Sequence, residues 1–222
     1  MCALHIIYML KKSLIIVFLI LFLDQFIKIW IKTHMSLGQE IHVAGNWFII
    51  HFTENEGMAF GMRFGGGFGK LILSLFRIIA VGAIGWYVLK LIKEQADKLL
   101  IICMSFIFAG ALGNILDSAF YGMIFNESYF AIANLFPKGG GYAAFLHGKV
   151  VDMFYFPIIE SHFPSWFPVW GGEEFVFFRP VFNLADSSIT MGVVMLILFQ
   201  KRFFKKHTEE VVPETIAEET TN

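Results

Sequence analysis

Four long apolar stretches, separated by polar segments, organise the chain: residues 13–31, 71–92, 99–120 and 181–199. Each reaches the ~18 residues needed for a helix rising ~1.5 Å per residue to cross a ~30 Å hydrocarbon core. The pattern therefore predicts four membrane-spanning helices, with longer segments 32–70 and 121–180 between them and no internal repeat. Short loops rich in lysine and arginine stay on the cytoplasmic side. Lys11 and Lys12 precede the first stretch, Lys90, Lys93 and Lys98 lie between the second and third, and Lys201, Arg202, Lys205 and Lys206 follow the fourth. Both termini are accordingly expected inside and the two long segments outside. The first stretch has the basic start of a cleaved leader, but no small-residue cleavage site follows, so it is expected to remain as an anchor.

Within segment 36–67, Trp47-Phe48-Ile49-Ile50-His51-Phe52 is aromatic and β-branched, and so a strand candidate. Residues 154–180 hold 10 aromatic side chains and four prolines, which disfavour a spanning helix. Trp166 and Trp170 in that segment suit a membrane interface, and a flap over a substrate is the sharper alternative. Residues 207–222 are acidic and expected to form a disordered tail behind a single domain of residues 1–206.

Composition agrees with a membrane protein. Hydrophobic residues make up 57% of the 222 and charged ones 16%, against roughly 45–50% and about 25% in soluble domains. The net charge of -1 gives no reason to expect a nucleic-acid partner. Two cysteines and seven scattered histidines offer neither a disulfide framework nor a metal-ligand spacing, and neither a nucleophile elbow nor a P-loop occurs. No metal or cofactor is expected.

The chemistry lies in the polar residues at membrane depth, where an ionisable side chain is costly and points to a functional site. Counted from the inner boundary of each helix, Asp24, Asp117 and Asp186 stand ~16, ~27 and ~20 Å up, and so gather toward the outer half. Asp152 sits in the outer apolar run Val150-Val151-Asp152-Met153-Phe154. Asp24 and Lys28 are four residues apart and can pair on one helix face. Asn114 with Asp117, and Asn183 with Asp186, are three apart, so each amide can bond near its carboxylate. Asp24–Lys28 and Asn114–Asp117 read as bonds that hold helices together. Asp152 and Asp186 have no basic partner within a turn. Two carboxyls meeting in a low-dielectric site share one proton, an arrangement suited to peptide hydrolysis. A proton- or cation-coupled transporter using the same carboxylates, and a catalytically silent interaction protein, are the alternatives.

Five segments then match a known pattern in order. They are Leu23-Asp24-Gln25-Phe26-Ile27-Lys28, Thr53-Glu54-Asn55-Glu56-Gly57-Met58-Ala59-Phe60-Gly61, Gly110-Ala111-Leu112-Gly113-Asn114-Ile115-Leu116-Asp117, Val150-Val151-Asp152-Met153-Phe154, and Phe182-Asn183-Leu184-Ala185-Asp186-Ser187-Ser188-Ile189. Together they resemble the lipoprotein signal peptidase (signal peptidase II) family of bacterial membrane aspartic proteases. The resemblance implies an all-α membrane fold: a four-helix transmembrane bundle with a small extracytoplasmic β-sheet and an inserted aromatic-rich segment. It implies a monomer in the bacterial inner membrane, among membrane lipid, with its site near the extracytoplasmic face. The implied substrate is a diacylglyceryl-modified prolipoprotein, cut just before the lipidated cysteine. Asp152 and Asp186 would be the catalytic pair, with Asn55, Gly57, Asn114, Asp117, Asn183, Asp24 and Lys28 binding substrate or supporting the site. Two departures stand out. Ser118 replaces the family's arginine after the third-helix aspartate, with Lys149 and Arg179 as candidates to supply its charge. About thirty residues also intervene between the third-helix motif and Val150.

Overall fold

The computed structural model describes residues 2–56, 66–157, 159–162, 166, 174–177 and 180–203. Among these, three helices are long and apolar enough to cross a membrane: Ala3–His34, Phe68–Lys93 and Lys98–Ile124. The first belongs to α1 (Cys2–His34) and the second to α2 (Gly66–Lys93). The third is α3 (Lys98–Leu116), continued by a π-helical turn over Asp117–Tyr121 and a last turn at Gly122–Ile124. The fourth expected span is present as a shorter apolar helix, α4 (Leu184–Leu198). The expectation of four full-length spans is corrected accordingly. Val181 and Phe182 pair as a strand instead of joining the helix. The first helix also differs, starting at Cys2 rather than residue 13, because Lys11 and Lys12 do not interrupt it.

Helix α3 is the centre of the bundle and packs against α1, α2 and α4. Its N-terminus is capped by Asp97, whose carboxylate accepts from the backbone N–H of Leu99 at 2.8 Å. The other oxygen of Asp97 accepts from Arg202 Nε at 2.8 Å, which ties the end of α4 to the start of α3. Met9 packs there with Val88, Leu91, Ile92 and Ile101. Both ends of the described chain thus lie at the same end of the bundle, with the lysine-bearing α2–α3 turn. Phe18, Phe22, Phe26, Phe76, Ile79 and Trp86 are exposed along the helices, as a lipid-facing surface requires.

At the opposite end sits an antiparallel sheet of β1 (Glu40–Ala44), β2 (Phe48–Asn55), β3 (Val150–Tyr155) and β6 (Val181–Phe182), in the order β1-β2-β3-β6. The strand expected at Trp47–Phe52 is β2 displaced by one residue and longer. A separate hairpin pairs β4 (Ile159–His162) with β5 (Glu174–Phe177). Residues 158, 163–165, 167–173 and 178–179 of the aromatic segment read as an anchor or flap lie outside the described residues, as does the acidic tail. The insertion between α3 and β3 folds back over the sheet. Phe125 and Ala133 from it join Ile31, Met35, Phe52, Tyr121, Val151 and Met153 in one buried cluster.

Candidate active site

The site forms where β3, α3 and α4 converge. Phe182 on β6 pairs with Phe154 on β3, so the next residue, Asn183, arrives beside Asp152. Asn183 is also the N-cap of α4. Its side-chain oxygen accepts from the Asp186 N–H at 2.9 Å, and its own N–H donates to Asp186 Oδ2 at 3.3 Å. This reciprocal capping box fixes Asp186 in the first helical turn, where the helix dipole favours negative charge. The Asn183–Asp186 spacing expected from sequence therefore acts as a helix cap.

Asn183 joins the two candidate carboxylates. Its Nδ2 donates to Asp152 Oδ1 at 2.7 Å and is also 3.0 Å from Asn114 Oδ1 and 3.3 Å from the Val151 carbonyl. Asn114 reaches across from α3 and donates to Asp186 Oδ1 at 2.7 Å. Its expected pairing with Asp117 is replaced by this bond across to α4. Asn55, at the end of β2, also hydrogen-bonds Asp152. The β2–β3 register slips by one residue between Ile50 and Thr53, beside Thr53's partner Asp152; such a slip re-aims side chains locally.

Asp152 is 4% exposed. Burial, and then the Asp186 charge, push its carboxyl up to about 7, against the pull of Lys28 and the amides of Asn183 and Asn55. A carboxyl raised this far keeps its proton through the acidic range. That is the condition for a general acid in the site.

Beneath the pair lies a buried ionic layer. Lys28 Nζ is 2.9 Å from Asp24, 2.8 Å from Asp117 and 3.0 Å from Asn114 Oδ1. Asp24 accepts from the Ala185 N–H at 2.9 Å, and Asp117 from the Val151 N–H at 3.3 Å. Gln25, which the sequence reading left without a role, donates to Asp117 at 2.8 Å and to Asp24 at 3.2 Å. This layer fixes α1, α3, α4 and β3 to one another directly below the catalytic candidates. The expected Asp24–Lys28 pair is present and Asp117 belongs to the same cluster. Gly57 lies outside the described residues.

A second ionic group joins the insertion to the sheet. Lys32, at the sheet end of α1, pairs with Glu54 and is 3.0 Å from Ser128 Oγ. Lys149 lies 3.3 Å from both Glu54 and Glu127. Lys149 is therefore matched by its own carboxylates; although burial opposes its charge, Glu54 and Glu127 raise its pKa. Arg179, the other candidate for the charge absent at position 118, lies outside the described residues. Ser118 itself donates back to the Asn114 carbonyl at 3.1 Å. Neither Lys32 nor Arg77 stands out in the sequence pattern, although each is a cation within a long apolar helix.

No group of three or more histidines, cysteines or carboxylates able to hold a metal occurs among the described residues. The fold and site together define a membrane-embedded protein with two aspartates linked through Asn183 at the sheet end of a helical bundle. The signal peptidase (SPase) II family pattern matches residues 16–202. A lipoprotein signal peptidase of Porphyromonas gingivalis is 55% identical over 188 residues, covering 84% of this chain and 81% of that protein. One from Amoebophilus asiaticus is 37% identical over 179 residues, covering 79% and 72%. In fold, the chain is similar to a solved bacterial membrane enzyme at a TM-score of 0.54 and 24% identity, covering 90% of this chain and 94% of that one. The chain belongs to the signal peptidase II family and is thus a membrane protease of lipoprotein maturation.

Proposed function

We propose that this chain is an intramembrane aspartic endopeptidase. It removes the signal peptide from diacylglyceryl-modified prolipoproteins by cutting just before the lipidated cysteine. The observation that carries the reading is the bridge through Asn183, whose side chain bonds Asp152 while its cap holds Asp186. A water between the two carboxyls would lose a proton to the ionised one as its oxygen attacks the scissile carbonyl. The carbonyl oxygen takes the proton of the other carboxyl. The resulting diol then collapses, the C–N bond breaks, and the departing amine takes up a proton. A buried site strengthens each of these transfers, because water competes poorly there for the same hydrogen bonds.

Family membership supports the prolipoprotein substrate, and family membership with the membrane-capable helices supports a bacterial inner membrane. The lysine-bearing bundle end favours the cytoplasm, which leaves both termini inside and the sheet end outside. A lipidated cysteine anchored in the outer leaflet would then meet the aspartates at their own depth. Asp152→Asn and Asp186→Asn should each abolish cleavage of a lipidated precursor peptide while the purified protein keeps its unfolding transition. Near-native turnover by either variant refutes the reading.

A further inference from the structure

Arg77 is an arginine in a helix long and apolar enough to cross a membrane, and nothing in the site described so far uses it. It shares one face of α2 with Ser74 and Val81, three residues before and four after, and both are buried. Ser74 Oγ donates to the Leu146 carbonyl at 3.0 Å, which fastens this face to the segment leading into β3. Arg77 stands ~24 Å along α2 from Lys93, and Asp186 ~20 Å along α4 from Phe199, so the two lie at similar heights. The carboxylates acting on the guanidinium are Asp186 first and Asp152 second.

Among the described residues, the other charges around the pair are matched among themselves. Lys28 on α1 is held by Asp24 and by Asp117 of α3. Lys149, at the start of β3, and Lys32 are held by Glu54 of β2, with Glu127 also on Lys149. Lys70, two turns before Arg77 on α2, interacts first with Glu56, the residue after β2. Among the described residues, the acids acting on Arg77 include both members of the candidate pair.

We propose that Arg77 is the charge-setting residue of the aspartate pair, placing the negative charge on Asp186 and leaving the shared proton on Asp152. The inference rests on the aspartic reading and deepens it. Asp186 is then the group that takes the proton from water, and Asp152 the one that protonates the carbonyl oxygen. An arginine suits this role because it cannot lose its own proton in the process. It would supply, from the facing helix, a charge that Ser118 does not carry on α3.

The test is kcat/KM against pH on a lipidated precursor for wild type, Arg77→Met, Arg77→Gln and Arg77→Lys. Removing a nearby cation makes each proton of the pair harder to lose, so both limbs should move up by about one pH unit in Arg77→Met. Arg77→Lys should keep the wild-type limbs. Should Arg77→Met fail to fold, Arg77→Gln, polar but uncharged, is read in the same way. Limbs that stay in place in the uncharged variants overturn the proposal, even if the rate falls uniformly, since that pattern marks a packing role. Asp152→Asn and Asp186→Asn run in the same assay separate the two ideas. Inactive aspartate variants with unmoved Arg77 limbs reject the arginine's role alone, whereas an active aspartate variant rejects the aspartic reading beneath it.

Discussion

Gly110 offers the most direct test of how bundle packing controls the site. A Cβ placed there would lie 2.2 Å from the Ala185 carbonyl oxygen and 2.8 Å from Ile189 Cγ1. The isoleucine can turn aside, but the carbonyl is backbone in the first turn of α4. Relieving the overlap requires α3 and α4 to part by about 1 Å, an overpacking strain of ~1–3 kcal/mol. The gain in helix propensity from glycine to alanine, ~1 kcal/mol, offsets part of it. The larger consequence is geometric. Asn114 bonds Asp186 across this seam at 2.7 Å, and Asp24 holds the Ala185 N–H at 2.9 Å. A further ångström breaks the Asn114–Asp186 bond, and a misplacement of that size can cost ~100-fold in rate. Gly82 on α2 is the control, since nothing lies within 4 Å of its would-be Cβ. Gly110→Ala should lower stability in SDS titration of mixed micelles and reduce kcat by one to two orders of magnitude; Gly82→Ala should leave kcat unchanged. Wild-type turnover in Gly110→Ala would refute the claim that α3–α4 contact sets the aspartates' geometry.

Two further outcomes follow. With Asp152 pushed up to about 7, its proton is lost as pH rises through that value, and the general acid disappears with it. The basic limb of kcat/KM should therefore fall near pH 7, whereas activity rising steadily to pH 9 would contradict the assignment. Lys28→Met leaves Asp24 and Asp117, at 1% and 0% exposure, without their shared cation. A loss of roughly 3–5 kcal/mol is expected, and a variant as stable as wild type in the same titration would show that the ionic layer does not hold the bundle together.

How much of this could be read from the sequence depends on the range of the interaction. Asp24 and Lys28 met as expected because their bond is set by helical spacing alone. Asp152 and Asp186 stood out in the sequence because neither has a basic partner within a turn, and the fold links them through Asn183, which bonds both. The Asn114–Asp117 pairing failed because α4 brings a better acceptor to Asn114 than its own helix does. The early start of α1 was missed because two lysines mark the edge of an apolar stretch without ending a helix. The late start of α4 was missed because apolar composition does not tell a two-residue strand from a helical turn. The Gln25–Asp117 and Lys32–Glu54 contacts join residues far apart in sequence, and no local pattern marks such partners. Arg77 carried a signal that could have been used, since a lone cation in a spanning helix deserves the same scrutiny as a carboxylate.

The insertion between α3 and β3 bears on the site through one residue. Glu54 is gripped by Lys32 from α1 and by Lys149 from the end of the insertion, and Ser128 within the insertion donates to it at 3.2 Å. Its neighbour along β2 is Asn55, which bonds Asp152. The Lys149 N–H donates to Tyr142 Oη at 2.7 Å, and the Tyr142 ring lies 5.1 Å from the ammonium groups of both lysines. These cation–π contacts add attraction that needs no further buried carboxylate. A buried ion group of this kind contributes little net stability, because desolvation offsets most of the attraction, and its value lies in fixing one register over others. Here the register fixed is that of β2 against α1 and β3. The insertion thus bears on the geometry of Asp152 through Glu54 and its neighbour Asn55, which is how a long addition at the sheet end can coexist with the bonds that Asn183 makes to both candidate aspartates.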